Sequence, residues 1–355
     1  MTISKKKILI IDDSALVRNA LSDLIETTTD LEVMGTAADP YFAAEKLKKN
    51  IPDAITLDIE MPRMDGITFL KTLMSQYPVP VVIVSSLTEK GSQTALEALH
   101  YGAVDVINKP SMHGLGEEVE ENRVRILEAI RAATLARVHR RSATEKSAKS
   151  GSPTKNGSQP KFAKGASMLK TSERIVVIGA STGGTVAIRT LLAKLPQNAP
   201  GIAIVQHMPE KFTRSFADSL NAQCKMQVRE AKDGDSILRG TVLIAPGNKH
   251  MYVKRSGARY YVQVKEGPLV NRHRPSVDVL FHSAANYAGK NCTGILLTGM
   301  GADGAQGMLE MKKAGAVTIA QDEASSVVFG MPRSAIQTGA TDRVLALKDI
   351  HQVIC

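Results

Sequence analysis

The stretch Ile175-Val176-Val177-Ile178-Gly179-Ala180-Ser181-Thr182-Gly183-Gly184 is an apolar, β-branched run that ends in a glycine-rich turn with a serine in its middle. The run predicts a buried strand of a parallel sheet, and the turn predicts the step from that strand into a helix. Two functions fit this turn. Its backbone could bind the phosphate groups of a nucleotide, or it could present Ser181 as a nucleophile.

The rest of the C-terminal half alternates in the same way. Short apolar runs predict strands and amphipathic stretches predict helices, which together favour a parallel sheet with right-handed crossovers. Residues 252–264 alternate like an antiparallel hairpin. The other predicted strands are residues 201–205, 241–245, 293–298 and 316–320, with helices at 186–195, 277–288 and 304–314. This half is predicted to be a doubly wound, Rossmann-like α/β domain.

The N-terminal half carries a second alternation of this kind. Its predicted strands are residues 7–11, 31–37, 54–57, 79–84 and 104–107, and a helix from about 117 to 138 closes the unit. At 355 residues the chain has a natural length for two domains. We therefore predict one α/β domain over residues 5–125, with its closing helix to about 138, and a second over residues 169–355.

The segment between the two domains, residues 139–168, lacks any hydrophobic period and is rich in Ser, Gly, Ala and Lys, which predicts a flexible linker. Residues 138–170 hold eight basic residues and one acid, so they account for +7 of the net charge of +10. A contact with an acidic partner is the alternative interpretation of this charge. Because the basic excess lies in the linker rather than on a folded face, no nucleic-acid binding is predicted.

The cysteine content and the lack of long apolar runs indicate where in the cell the protein is expected. The three cysteines, Cys224, Cys292 and Cys355, are far apart and odd in number, which fits a reducing environment without structural disulfides. No run approaches the roughly 20 apolar residues of a membrane span, and the N-terminus lacks the apolar core of a signal peptide. The expectation is a cytoplasmic protein that does not span a membrane.

Charged side chains follow three predicted strands of the N-terminal half. Asp12 and Asp13 follow the first strand, Asp58 the third and Lys109 the fifth. Parallel strands bring their carboxyl ends to one edge, so the three carboxylates would repel one another unless a cation such as Mg²⁺ bound there. A carboxylate between Mg²⁺ and a lysine is placed to accept a phosphoryl group. The alternative is that these acids only cap helices.

Three motifs of this half resemble the receiver domain of bacterial response regulators, which has a flavodoxin-like fold. They are Ile11-Asp12-Asp13-Ser14, Leu57-Asp58-Ile59-Glu60-Met61-Pro62 and Ile107-Asn108-Lys109-Pro110. The resemblance implies Asp58 as the phosphorylated residue, Asp12, Asp13 and Asp58 around Mg²⁺, Lys109 as the phosphate partner, Ser85 as the switch hydroxyl and a cis bond before Pro110. Val106 departs from the family, which usually has an aromatic switch residue at that position.

In the C-terminal half, the residues after the second strand weigh against a nucleotide. A dinucleotide site would place an acid there, whereas this chain has Gln206-His207-Met208-Pro209, and no Gly-Lys-Ser/Thr of a P-loop follows residues 179–184. If the two strands are neighbours, Ser181 and His207 come within reach of each other, and Asp303 after a later strand could orient the imidazole. Spacing alone leaves His250 and His273 open as the base. Arg272 and Arg274 could bind an acidic substrate or be exposed charges.

Five motifs of this half resemble the chemotaxis methylesterase family, CheB. They are residues 179–184, Gln206-His207-Met208, residues 245–251, Arg274-Pro275-Ser276-Val277-Asp278 and residues 297–304. The resemblance implies Ser181 as nucleophile, His207 as base and Asp303 as orienting acid, with Thr182 and Met300 in the oxyanion region and no cofactor for the ester hydrolysis. It implies hydrolysis of glutamyl methyl esters, and deamidation of glutamines, on the cytoplasmic helical region of methyl-accepting chemotaxis receptors.

The family also implies control by phosphorylation from a chemotaxis histidine kinase, with the unphosphorylated receiver covering the esterase cleft. The rival from another class is a response regulator whose second domain binds DNA or a nucleotide. A DNA-binding output would need a helix-turn-helix and a compact basic face, and the predicted α/β domain supplies neither.

Overall fold

The computed structural model describes residues 4–61, 64–86, 88–110, 117–138 and 174–354. The predicted linker at 139–168 lies outside these ranges, as do Pro62 and Cys355. Within the described ranges the chain forms two parallel α/β sheets and one separate antiparallel hairpin. None of the described helices is both long and apolar enough to cross a bilayer.

The N-terminal sheet has five parallel strands in the order β2-β1-β3-β4-β5. Its strands are β1 (Lys6–Ile11), β2 (Leu31–Ala37), β3 (Ala54–Asp58), β4 (Val81–Ser85) and β5 (Asp105–Asn108), and its helices are α1 (Ala15–Glu26), α2 (Pro40–Lys49), α3 (Gly66–Gln76), α4 (Glu89–His100) and α5 (Glu117–Leu135). Side chains start the helices: Asp65 Oδ1 accepts from Thr68 N at 2.8 Å, and Thr88 Oγ1 accepts from Gly91 N at 2.9 Å.

The C-terminal sheet has seven parallel strands in the order β14-β13-β12-β6-β7-β9-β8. Its strands are β6 (Ile175–Ala180), β7 (Gly201–Gln206), β8 (Gln227–Glu230), β9 (Thr241–Ile244), β12 (Cys292–Leu296), β13 (Val317–Gln321) and β14 (Arg343–Leu345). The hairpin consists of β10 (His250–Ser256) and β11 (Arg259–Lys265). The helices are α6 (Gly184–Leu192), α7 (Phe212–Asn221), α8 (Val277–Tyr287), α9 (Ala305–Lys313), α10 (Met331–Gln337) and α11 (His351–Ile354).

The predicted fold class, two doubly wound parallel-sheet domains, is confirmed. Central strands such as β6, β7 and β12 are buried on both faces, which explains their continuous apolar runs. Sequence reasoning missed the short edge strands β8 and β14 and the helices α7, α10 and α11.

Two local expectations are wrong. Helix α5 ends at Leu135 rather than near 138, because the chain turns away there and Arg137 N donates to Val327 O at 3.2 Å. The described cis peptide bond is the one between Arg274 and Pro275, so the bond before Pro110 is not cis. The trans form before proline is favoured by only about 0.5–1 kcal/mol, so a short motif does not fix the isomer.

Candidate active site

The strand order places three of the predicted site residues at one edge of the C-terminal sheet. β6 lies between β7 and β12, so Ser181 after β6 has His207 on one side and the segment leading to Asp303 on the other. Backbone hydrogen bonds fix the turns: His207 N donates to Ala180 O at 3.1 Å, and Ser181 N donates to Thr298 O at 3.0 Å. The assumption that the first two strands are neighbours is therefore confirmed.

His207 and Asp303 form a buried pair. His207 Nε2 lies 2.8 Å from Asp303 Oδ2, and both side chains are almost fully buried. A carboxylate only accepts hydrogen bonds, so this contact assigns the proton of the neutral imidazole to Nε2 and leaves the lone pair on Nδ1. His207 Nδ1 is buried and has no hydrogen-bond partner within the described part of the chain. It is therefore free to accept a proton.

Ser181 shares its cavity with this pair without a hydrogen bond from its hydroxyl to either of them. A cavity of ≈ 360 Å³ is lined by Ser181, Thr182, His207, Met300 and Asp303, among others. No hydrogen bond joins Ser181 Oγ to His207 between these described residues. Hydrogen bonds of this kind are often long without substrate and tighten when one binds, so the separation is compatible with a nucleophile and its base.

The carboxylate of Asp303 is held at the start of α8. Val277 N donates to its Oδ2 at 2.7 Å, while Asp278 N donates to its Oδ1 at 3.1 Å. Ser276 Oγ and Asn271 Nδ2 each donate to Oδ1 at 2.8 Å. Burial would raise the pKa of this carboxyl, but the hydrogen bonds from His207 and the other donors outweigh it, so its pKa lies below the usual range. Asp303 is therefore kept ionised beside the imidazole.

Sequence reasoning missed Asn271 and Ser276 as supports of this carboxylate. Ser276 precedes an apolar helix and has the pattern of an N-cap, but its hydroxyl donates to Asp303 rather than capping α8. Asn271 and Arg272 both have left-handed backbone, with φ of 53° and 66°. Asparagine is enriched in this conformation, so Asn271 is a weak sequence signal for the turn, whereas Arg272 gives none.

The two other candidate histidines have different surroundings. His250 is buried with both ring nitrogens engaged, since Nε2 contacts Pro268 O at 2.8 Å and Nδ1 accepts from Ser276 N at 3.3 Å. His273 stacks on His207 with ring centroids 3.7 Å apart. Burial, and then the neighbouring His207, hold the pKa of His273 far below its usual range. Of the three histidines, only His207 has a carboxylate partner at hydrogen-bond distance together with a buried, free ring nitrogen.

The predicted phosphorylation residues meet at the carboxyl edge of the N-terminal sheet. Carboxylate oxygens of Asp12, Asp13 and Asp58 lie within 4.8 Å of one another. Lys109 Nζ lies 2.8 Å from Asp58 Oδ2 and 3.4 Å from Asp12 Oδ2. Burial, and then the charge of Asp58, raise the pKa of Asp12 to about 6. Three carboxylates against one ammonium leave an excess of negative charge, and their oxygen atoms suit Mg²⁺.

The switch positions flank this cluster. Ser85 ends β4 and is buried, with its hydroxyl 3.4 Å from Ser86 O. Val106 is also buried, in β5, where the receiver family usually has an aromatic residue. A buried valine has no long ring that could move between an inward and an outward position.

The N-terminal domain closes over the cavity of the C-terminal domain. Thr182 Oγ1 donates to Asp105 Oδ2 at 2.8 Å, and Gly183 N donates to Val104 O at 3.3 Å. Helix α4 packs against α7 further along the same interface. Burial raises the pKa of the Asp105 carboxyl. The cavity that holds Ser181 is therefore walled partly by β5 and α5 of the other domain.

Fold and site together define an α/β domain with serine, histidine and aspartate at one sheet edge, covered by a second α/β domain that has three carboxylates and a lysine at its own sheet edge. Residues 176–354 match the CheB methylesterase family, and residues 8–119 match the response regulator receiver domain. The chain belongs to the CheB methylesterase family.

Relatives cover the full chain. A protein-glutamate methylesterase/protein-glutamine glutaminase of Geobacter metallireducens is 56% identical over 351 residues, which is 99% of this chain and 98% of that protein. One of Rhizobium johnstonii is 57% identical over 356 residues, covering 99% and 97%. The crystal structure of the Thermotoga maritima CheB methylesterase catalytic domain is 38% identical, with a TM-score of 0.51, and covers 52% of this chain and 98% of that one.

Proposed function

We propose that this chain hydrolyses glutamyl methyl esters on methyl-accepting chemotaxis receptors, releasing methanol, and deamidates receptor glutamines by the same route. Its role is then adaptation in bacterial chemotaxis, in the cytoplasm. The observation that carries the proposal is the buried His207–Asp303 pair, whose free Nδ1 shares a cavity with Ser181. Full-length similarity to proteins named for both activities supports it.

The chemistry proceeds through an acyl-enzyme. Ser181 Oγ adds to the ester carbonyl carbon while His207 Nδ1 takes the hydroxyl proton, and Asp303 stabilises the imidazolium. Thr182 and Met300 line the region where the oxyanion develops. The imidazolium then returns the proton to the leaving oxygen, and methanol departs. Water then adds to the acyl carbonyl carbon while His207 takes its proton, and the imidazolium returns that proton to Ser181 Oγ as the glutamate carboxyl leaves. With a glutamine substrate, ammonia departs in place of methanol.

Phosphorylation of Asp58 controls this activity in our proposal. Asp12, Asp13 and Asp58 would hold Mg²⁺, which neutralises charge when a chemotaxis histidine kinase donates its phosphoryl group. Lys109 would pair with the phosphate and Ser85 would contact it as the switch hydroxyl. The receiver spans residues 5–125, the linker 139–168 and the catalytic domain 169–355. Release of the receiver would open the cavity now covered by β5 and α5.

Methanol release from methylated receptor membranes tests the proposal, with and without acetyl phosphate as phosphodonor. Ser181→Ala should lower the turnover rate about a thousandfold or more. Ser256→Ala, at an exposed position of the hairpin, should keep the wild-type turnover rate. Asp58→Asn should keep the basal rate but lose stimulation by the phosphodonor. Undiminished turnover by folded Ser181→Ala would overturn the proposal.

A further inference from the structure

A second cleft lies beside His207, between α5 and the loop that leads into α8, and two arginines at its rim have no part in the chemistry described above. Arg272 and Arg274 flank His273 in the loop that leads into α8, and both line the mouth of the cleft beside His207. The Arg272 side chain is 74% exposed, whereas that of Arg274 is 21% exposed. The sequence left open whether these charges bind an acidic group or are only solvated.

Both arginines face acids of α5. Arg272 Nη1 lies 3.5 Å from Glu128 Oε1, and Arg274 Nη2 lies 3.6 Å from Glu121 Oε2. Arg274 is fixed from behind, since its Nε donates to Asn248 Oδ1 at 2.8 Å and its Nη1 to Gly267 O at 2.6 Å. One arginine is thus held rigidly and the other reaches into solvent, and each meets a carboxylate.

The spacing of the two acids has a simple geometric meaning. Glu121 and Glu128 are seven residues apart in one helix, so they lie on the same face, about 10 Å apart along its axis. The rim therefore accommodates a helix whose carboxylates recur after two turns. Ion pairs that are partly exposed to solvent contribute modestly to stability, but they orient and select charged partners.

The same rim borders the cavity of Ser181. Arg272 and His273 line both the outer cleft and that cavity. When the receiver moves away, Arg272 and Arg274 lose Glu128 and Glu121 and present two guanidinium groups next to the site of ester hydrolysis. A second helix of matching charge could then take the place of α5.

We propose that Arg272 and Arg274 form a recognition rim for acidic helices, and that α5 is a built-in competitor for it. The partner is a helical segment of the receptor with carboxylates two turns apart, lying beside the glutamyl ester that is cleaved. This inference rests on the proposed function and assigns the surface that docks its substrate. The arginines position the helix and do not touch the reacting atoms.

Steady-state kinetics of the full chain, saturated with acetyl phosphate, test the rim on methylated receptor membranes. The KM should stay near the wild-type value in Arg272→Lys, rise about threefold in Arg272→Gln and about tenfold in Arg272→Glu, with kcat within about twofold throughout. Added salt should raise the KM of the wild type more steeply than that of Arg272→Gln. The exposed Arg255→Gln, in the hairpin, is the matched control and should behave as wild type.

An unchanged KM in Arg272→Glu, or a loss confined to kcat, would contradict the proposed role of the rim in binding the receptor helix. Failure of the proposed function gives a different result, because the wild type itself would then release no methanol.

The competitor role of α5 has its own readout. Without phosphodonor, the double variant Glu121→Gln/Glu128→Gln should show a basal rate several-fold above wild type, while its KM with phosphodonor stays unchanged. A basal rate equal to that of the wild type would contradict the role of α5.

Discussion

At the scale of single residues, the orientation of His207 decides what the site can do. The imidazole donates through Nε2 to Asp303, which leaves Nδ1 toward the cavity, the opposite use of the two nitrogens from chymotrypsin. The ring of His273 stacks on one face of the His207 ring, and His273 stays neutral because it is buried. The hydrogen bond to Asp303 therefore fixes the His207 ring within its plane, and the stacking on His273 restrains it perpendicular to that plane.

Replacing Asp303 by asparagine should reduce kcat by about 10³ to 10⁴-fold. The amide could donate to Nε2, which would shift the imidazole proton to Nδ1 and remove the base from the cavity. In that orientation the amide N–H groups would also face the backbone N–H of Val277, which now donates to Oδ2. The measurement is the rate of methanol release at saturating substrate.

The matched control is Asp342→Asn. That carboxylate also accepts a backbone N–H and a hydroxyl, both from Thr318, but lies away from the cavity. A comparable loss of kcat in both variants would point to general destabilisation rather than to the tautomer.

The sequence predicted the three residues of the site but not their supports. Ser181, His207 and Asp303 each follow a buried strand, so a parallel sheet alone brings them to one edge. Asn271 and His273 reach the site through a loop with two left-handed residues and a cis proline. Such a loop depends on its surroundings rather than on local propensity, and short-range patterns do not contain it.

At the scale of elements, the turn from β6 into α6 depends on a glycine. Gly183 has a φ of 77°, and a Cβ there would lie 2.6 Å from Val327 Cβ. This close approach lets the turn carry Ser181 at the sheet edge while the chain enters the helix at once.

Gly183→Ala should lower the free energy of unfolding by about 2–4 kcal/mol, from left-handed backbone and overpacking together. Gly234 has a similar φ of 81° but open space around it, so Gly234→Ala should cost only about 1 kcal/mol. Urea unfolding of both variants measures the difference. Equal losses would mean that the contact with Val327 does not matter.

The elements that the sequence revealed are those with buried, continuous patterns. β6, β7 and β12 are buried on both faces, and their positions follow from the apolar runs in the sequence. The edge strands β8 and β14 are short and partly exposed, so their residues carry no clear period. Helix α7 is different, because Phe212, Phe216 and Leu220 recur every four residues and are all buried. That pattern was available in the sequence.

At the scale of the whole molecule, the contact between the domains could not be deduced from either half. Asp105 begins β5 in one domain and accepts from Thr182 Oγ1 of the other and from Val106 N. Its pKa is raised because the closed interface buries its carboxyl. The charge pattern of each domain, considered alone, does not reveal which surfaces of the two domains meet, because many pairs of faces have complementary charge.

Burial of Asp105 makes closure depend on pH. The closed form binds the proton of this carboxyl more tightly than an open form, in which the pKa returns toward its ordinary value of 3.8. As pH rises from that value to the raised one, the closed form must bury a charge and weakens, by up to about tenfold per pH unit. Above the raised pKa the effect is constant. The basal rate of the unphosphorylated chain should therefore rise with pH in this window.

The measured quantity is the ratio of the basal rate to the rate with saturating acetyl phosphate, because this ratio cancels the pH dependence of the chemistry itself. In Asp105→Asn an amide oxygen can still accept from Thr182, but no proton is exchanged, so the ratio should be flat across the same pH range. Glu128→Gln changes an acid that pairs at the edge of the interface, and it should keep the slope of the wild type. If Asp105→Asn retains that slope, the pH dependence of closure arises from another group.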